Sequence, residues 1–172
     1  MGNISGTVIV SNLIPQLQSL WPFIKIMGLF VGFILFIAGL HSVISKGRNQ
    51  GHLKGPIYAM LGGIILLNLM GALDAMANSI FAQSSATGLT YSAGGSDPTS
   101  LYIQFAIYVV QLVGICGFIQ GCILIKKSGE EGQHVGRAIT HLIGGTLGVN
   151  IVATINVLAS STGISLQGFF GN

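Results

Sequence analysis

The sequence predicts an all-α membrane protein: four transmembrane helices arranged as two tandem, parallel-oriented helical hairpins. Three observations carry this expectation. First, the 172-residue chain is 51% hydrophobic with a mean hydropathy of +0.77, and it holds only seven Lys or Arg and four Asp or Glu. A soluble domain carries about 25% charged residues; at 6% this chain cannot cover a water-facing surface. Second, four apolar runs at 22–44, 56–76, 102–125 and 138–159 each reach the ~20 residues that a helix needs to cross a bilayer. Third, the chain repeats itself: residues 23–79 overlay 105–161 at an offset of 82, without a gap.

The repeat carries 14 identities in 57 positions. Phe23, Val31, Gly32, Phe36, Ile37, Gly39, Gly47, His52, Ile57, Gly62, Gly63, Asn68, Ala77 and Ser79 meet the same residue types at Phe105, Val113, Gly114, Phe118, Ile119, Gly121, Gly129, His134, Ile139, Gly144, Gly145, Asn150, Ala159 and Ser161. A chain of this composition gives about five by chance. The functional unit is therefore half the chain, presented twice.

The elements follow in order. Residues 1–21 alternate apolar and polar positions loosely, with Val8, Ile9, Leu13, Ile14, Leu17 and Leu20. This pattern predicts an outer amphipathic segment, with an interfacial helix near 10–20 and Trp21 in the headgroup belt. The first hairpin occupies 22–80. A Gly/Ser/Thr-rich external connector follows at 81–101, the second hairpin at 102–161, and an external tail at 162–172.

Charge orients the hairpins. Lys46, Arg48 and Lys54 fall in the first hairpin loop, and Lys126, Lys127 and Arg137 in the second; only Lys25 lies elsewhere. Cationic loops stay inside, so both loops are expected in the cytoplasm, with both termini and the connector outside. An even number of spans per repeat inserts both halves the same way up, unlike the inverted repeats of many transporters. The pI near 9.1 then reflects lipid headgroups as counterions, not nucleic acid. No cleavable leader is evident in the first 20 residues.

Nothing resembles a catalytic centre, and an enzyme is not expected. Asp97, Glu130 and Glu131 lie in predicted loops, which leaves Asp74 as the one carboxylate within a span. No Cys/His metal pattern or cofactor motif occurs, and bound phospholipid is the only expected small-molecule companion. Cys116 and Cys122, six residues apart on one helix, cannot bridge and read as small apolar fillers. The paired loop histidines, His52 and His134, either hydrogen-bond their own loops or touch lipid phosphate. Asn68 and Asn150 coincide inside spans two and four; each amide must be bonded across helices or line a translocation path. Lys25 and Asp74 reach similar depth in an antiparallel hairpin and form a possible ion pair, although the second half carries Ile107 and Asn156 instead. Gly28, Gly32, Gly62, Gly63, Gly117, Gly121, Gly144, Gly145 and Gly148 are expected at helix-packing faces.

A hairpin of two apolar Gly-rich helices, with a basic inner loop and both ends outside, resembles the pilin of conjugative type IV secretion systems. It is also similar to the small multi-span proteins of IncI-type plasmid transfer and Dot/Icm-like type IVB machineries. The resemblance covers 22–79 and 104–161, once per half. It implies a structural subunit, a tandem-hairpin pilin, that waits in the bacterial inner membrane with periplasmic termini. From there it is extracted into a helical, lipid-associated extracellular pilus for DNA or protein transfer. In that setting the loops KGRNQGHLKG (46–55) and KKSGEEGQHVGR (126–137) would face a lumen, with Lys46, Arg48, His52, Lys54, Lys126, Lys127, His134 and Arg137 near phospholipid headgroups. The implied partners are membrane phospholipid, further copies of the chain in a homo-oligomer or filament, and other type IV secretion components. Nucleic acid would be present only as cargo. A permanent inner-membrane component of the same machinery and a small pseudosymmetric transporter or channel are the alternatives.

Overall fold

The computed structural model describes residues 6–48, 53–81, 98–131 and 135–163. Among the described residues there are six helices and no strand: α1 Gly6–Arg48, α2 Lys54–Leu67, α3 Leu69–Phe81, α4 Pro98–Glu131, α5 Val135–Val149 and α6 Ile151–Thr162. α1 and α4 are long and apolar enough to cross a membrane. The pairs α2–α3 and α5–α6 raise the number to four if each counts as one span.

Those pairs are not straight. α2 and α3 meet at 92° around Asn68, and α5 and α6 meet at 90° around Asn150. The continuous spans expected over 56–76 and 138–159 are thus broken, each at its shared asparagine. A 14-residue α2 and a 15-residue α5 rise only ~21–22 Å, against a hydrocarbon core of ~30 Å.

The start of the chain also differs from expectation. α1 is one helix of 43 residues that runs through Pro15 and Pro22, so 10–20 is not a separate interfacial helix. Its apolar stripe is covered by protein: Val10, Ile14 and Trp21 are buried in one cluster with Tyr108, and Leu17, Leu101 and Phe105 pack against it. Trp21, placed by its sequence context in the headgroup belt, is 8% exposed. Pro removes one helical hydrogen bond and normally marks a boundary. Packing against a neighbouring helix lets the run continue.

Local sequence explains the other ends. Pro98 opens α4 at the first helical position, where no amide partner is needed. Pro56 sits in the first turn of α2 for the same reason. Gly163 closes α6 at φ 72°, a left-handed conformation that glycine adopts without strain.

The helices pack in the order α1, α2, α4, α5. The core lies on α4, whose Tyr108, Ile115, Phe118 and Cys122 form one fully buried stripe facing Leu66 and Leu73. The central connector beyond Phe81 and the tail beyond Gly163 lie outside the described residues.

Candidate functional site

Two helix crossings, α1 on α2 and α4 on α5, hold each helix pair together, and both are made by glycine. A Cβ on Gly63 would stand 2.7 Å from the Phe36 amide nitrogen and 2.8 Å from the Gly32 carbonyl oxygen. A Cβ on Gly145 would stand 2.5 Å from the Phe118 nitrogen and 2.8 Å from the Gly114 oxygen. Every partner in the second crossing lies 82 residues after its counterpart in the first. The correspondence continues along both helix pairs: Gly39 is closed off by Met60, and Gly121 by Leu142. Real side chains do not approach so closely, so only glycine lets these backbones touch.

The remaining glycines divide. Gly28 meets Leu69 at 3.0 Å and Gly148 meets the Gly114 Cα at 2.9 Å, so both sit at crossings. Gly62 faces the other way, with its added Cβ 2.6 Å from the Cys122 carbonyl on α4. Gly117 keeps 3.9 Å of room, and Gly144 has nothing within 4 Å. Among the described residues no neighbour fills the packing role expected of Gly144.

The asparagines mark the breaks. Asn68 (φ −115°, ψ 50°) and Asn150 (φ −101°, ψ 40°) leave helical geometry while each still accepts and donates one backbone bond across the bend. Asn150 Nδ2 donates to the Thr146 carbonyl of its own helix, 3.0 Å away, instead of bonding across helices. A break exposes carbonyls of the preceding turn, which must find donors. In the second half they do. Gln111 Nε2 on α4 donates to the Val149 oxygen at 3.1 Å, and Thr154 Oγ1 reaches the Leu147 oxygen at 3.0 Å. The counterpart positions in the first half are Leu29 and Ala72, which carry no polar side-chain atom. Among the described residues Gln111 Oε1, although buried, has no partner.

Gln111, Thr146 and Thr154 were not singled out by sequence. A mid-span amide such as Gln111 is itself a signal, but its repeat partner is Leu29, so the repeat does not point to it. The same holds for Gln18, whose Nε2 donates to the buried Tyr108 hydroxyl at 2.9 Å and so ties α1 to α4.

The cationic ends of the two helix pairs lie side by side. Gly129, near the end of α4, packs on Gly55 and the Lys54 carbonyl at the start of α2. Lys46, Lys54, Lys127 and Arg137 are exposed and Lys126 is half-buried at that end. His52, His134 and the Arg48 side chain lie outside the described residues.

Lys25 stands with its ammonium 5.8 Å from the Trp21 ring centroid, one helical turn away, within cation–π range. Asp74 is half-buried on α3, past the 92° bend at Asn68, where Leu69 still meets Gly28 of α1. Cys116 is exposed and Cys122 buried, and both are free thiols. Among the described residues no group of three His, Cys, Asp or Glu could hold a metal ion. A shallow apolar groove of about 490 Å³ opens on α1 beside Phe33, Ile37 and His41. No protein family, curated protein or solved structure matches the chain.

Proposed function

We propose that the chain is a structural membrane subunit made of a duplicated glycine-packed hairpin, serving a conjugative type IV secretion machinery as a pilin-like building block. The observation that carries this reading is the pair of crossings, Gly32–Gly63 under Phe36 and Gly114–Gly145 under Phe118. Among the residues shared by both halves, Gly32 and Gly63, Gly114 and Gly145, and Asn68 and Asn150 serve backbone contact and helix bending, which are the properties of a packing module. α1 and α4 span the bilayer, while α2 and α5 return from the cationic, cytoplasmic side. At the asparagines α3 and α6 turn aside before the far interface is reached, because α2 and α5 are too short to cross the hydrocarbon core. The clustered cations Lys46, Lys54, Lys126, Lys127 and Arg137 meet phospholipid headgroups. Fusing two hairpins makes their mutual contact intramolecular and raises its effective concentration.

The experiment is fractionation of cells that express the chain, with electron microscopy of sheared surface material. Recovery in filaments together with phospholipid is the expected result. Recovery in the inner membrane alone would assign the chain to a permanent component of the machinery.

One observation favours a second reading. Matched helix breaks in two halves of a membrane protein are a feature of transporters, where freed backbone groups bind substrate. Here the Leu147 and Val149 carbonyls freed at the second break are occupied by Thr154 and Gln111. The first break has no polar side chain at either counterpart position. Flux in proteoliposomes that is lost on Asn68→Ala and Asn150→Ala would establish the transporter instead.

A further inference from the structure

The contact between the two halves has an unused counterpart. Within the chain, α2 of the first half packs on α4 of the second, with Gly62 against Cys122 and Gly129 against the Lys54 carbonyl. Shifting each residue by 82 turns this contact into one between α5 and an α1 that follows it. Gly62 becomes Gly144 and Cys122 becomes Leu40; Lys54 becomes Gly136 and Gly129 becomes Gly47.

Among the described residues these shifted positions are open: Gly47, Gly136 and Gly144 have nothing within 4 Å, and Leu40 is 41% exposed. A third contact behaves alike: Thr146 Oγ1 lies 3.7 Å from Met76 Sδ, whereas the counterparts Ile64 and Leu158 are both exposed. α1 and α5 do not touch within the described chain. Exposure of apolar groups in lipid alone carries nothing. The informative feature is that residues packed in one register stand open in the other. The two long helices differ accordingly: half of α4's most apolar stretch is buried, against 17% of α1's.

We infer that the α5 face around Gly144 docks the α1 face around Leu40 of a second copy of this chain, reproducing the internal α2–α4 contact. Such a head-to-tail contact is heterologous, so repetition closes a ring or extends a helical filament. The inference rests on reading the chain as a self-associating duplicate and names the surfaces that reading requires.

Leu40 replaced by the photoreactive residue p-benzoyl-phenylalanine tests it in intact membranes, in cells that also express a second, differently tagged copy. Leu40 is exposed, so the replacement leaves the fold of the single chain in place. Ultraviolet irradiation is expected to give a dimer whose adduct maps to residues 136–147 of the other copy. Gly144→Leu in that copy should lower the yield about tenfold while protease resistance of the chain stays unchanged. The same probe at Ile34, whose counterpart Cys116 is exposed on α4, should capture lipid only.

Capture of lipid alone at Leu40, or a yield indifferent to Gly144→Leu, overturns the proposed interface. If copies still cross-link through other surfaces, self-association stands without this interface. If no probe position yields a dimer, the building-block reading falls with it.

Discussion

Gly63 lies directly against the backbone of Phe36, so that a Cβ at position 63 would stand 2.7 Å from the Phe36 nitrogen. Neither backbone can yield without parting α1 from α2. Gly63→Ala should therefore destabilise the fold by about 1–3 kcal/mol, the usual range for overpacking. Gly145→Ala should do the same at Phe118. Gly144→Ala, one residue away and open, should change stability by less than about 0.5 kcal/mol. Thermal unfolding of the three variants in one detergent measures the contrast.

The Val149 carbonyl depends on Gln111. Gln111→Leu removes its donor and should cost about 1 kcal/mol. For a chain of this size that lowers Tm by about 2–4 °C. Leu29→Ala at the counterpart position breaks no such bond, so its effect should be confined to lost apolar contact. Comparing the variants by thermal melting separates the plugged break from the plain one.

Tyr108 tests the docking of the first half of α1. Its hydroxyl accepts from Gln18 on α1 and from Gln104 on α4, at 2.9 and 3.1 Å. Tyr108→Phe leaves both amides without this acceptor and should cost about 0.5–1.5 kcal/mol. The loss should appear as faster amide hydrogen exchange over 6–21, with little change over 54–67. A segment held by lipid instead of α4 would show no difference.

The cationic end is testable by composition. Replacing Lys46, Arg48, Lys126 and Lys127 by Gln should reduce co-purified anionic phospholipid, since each near-surface cation contributes about 1 kcal/mol. Lipid extraction and phosphate analysis give the readout. Unchanged lipid content would remove the headgroup contact and leave the fold as described.

How much of this was legible in the sequence depends on the kind of interaction. The long apolar runs announce α1 and α4, because charge depletion over 20 residues has few other meanings. The repeat marks Gly32, Gly63, Gly114 and Gly145, and contact geometry accounts for each. It marks Asn68 and Asn150 as well but conceals their role. A hydropathy window of ~19 residues averages over one amide among Leu and Ile, so a right-angle break leaves no trace. The loose alternation over 10–20 misleads in the opposite direction. It reads as an interfacial segment, yet Ile14 and Trp21 join the buried cluster with Tyr108, Leu17 packs against it, and one helix runs through Pro15 and Pro22. Gln111 and Thr154 escape notice because they occur in one half only. A repeat shows what two segments share, not what stands in one of them alone.

The length of α1 has a mechanical consequence. At 43 residues it measures about 64 Å, some 20 Å more than a bilayer with its headgroups. Its two prolines are compliant points, and the Gln18–Tyr108 bond braces the stretch between them. A tilt of 5° at the cationic end would swing Gly6 by about 6 Å at that length. On the membrane reading proposed above, α1 would carry a tilt at one end to the other as a displacement of that size.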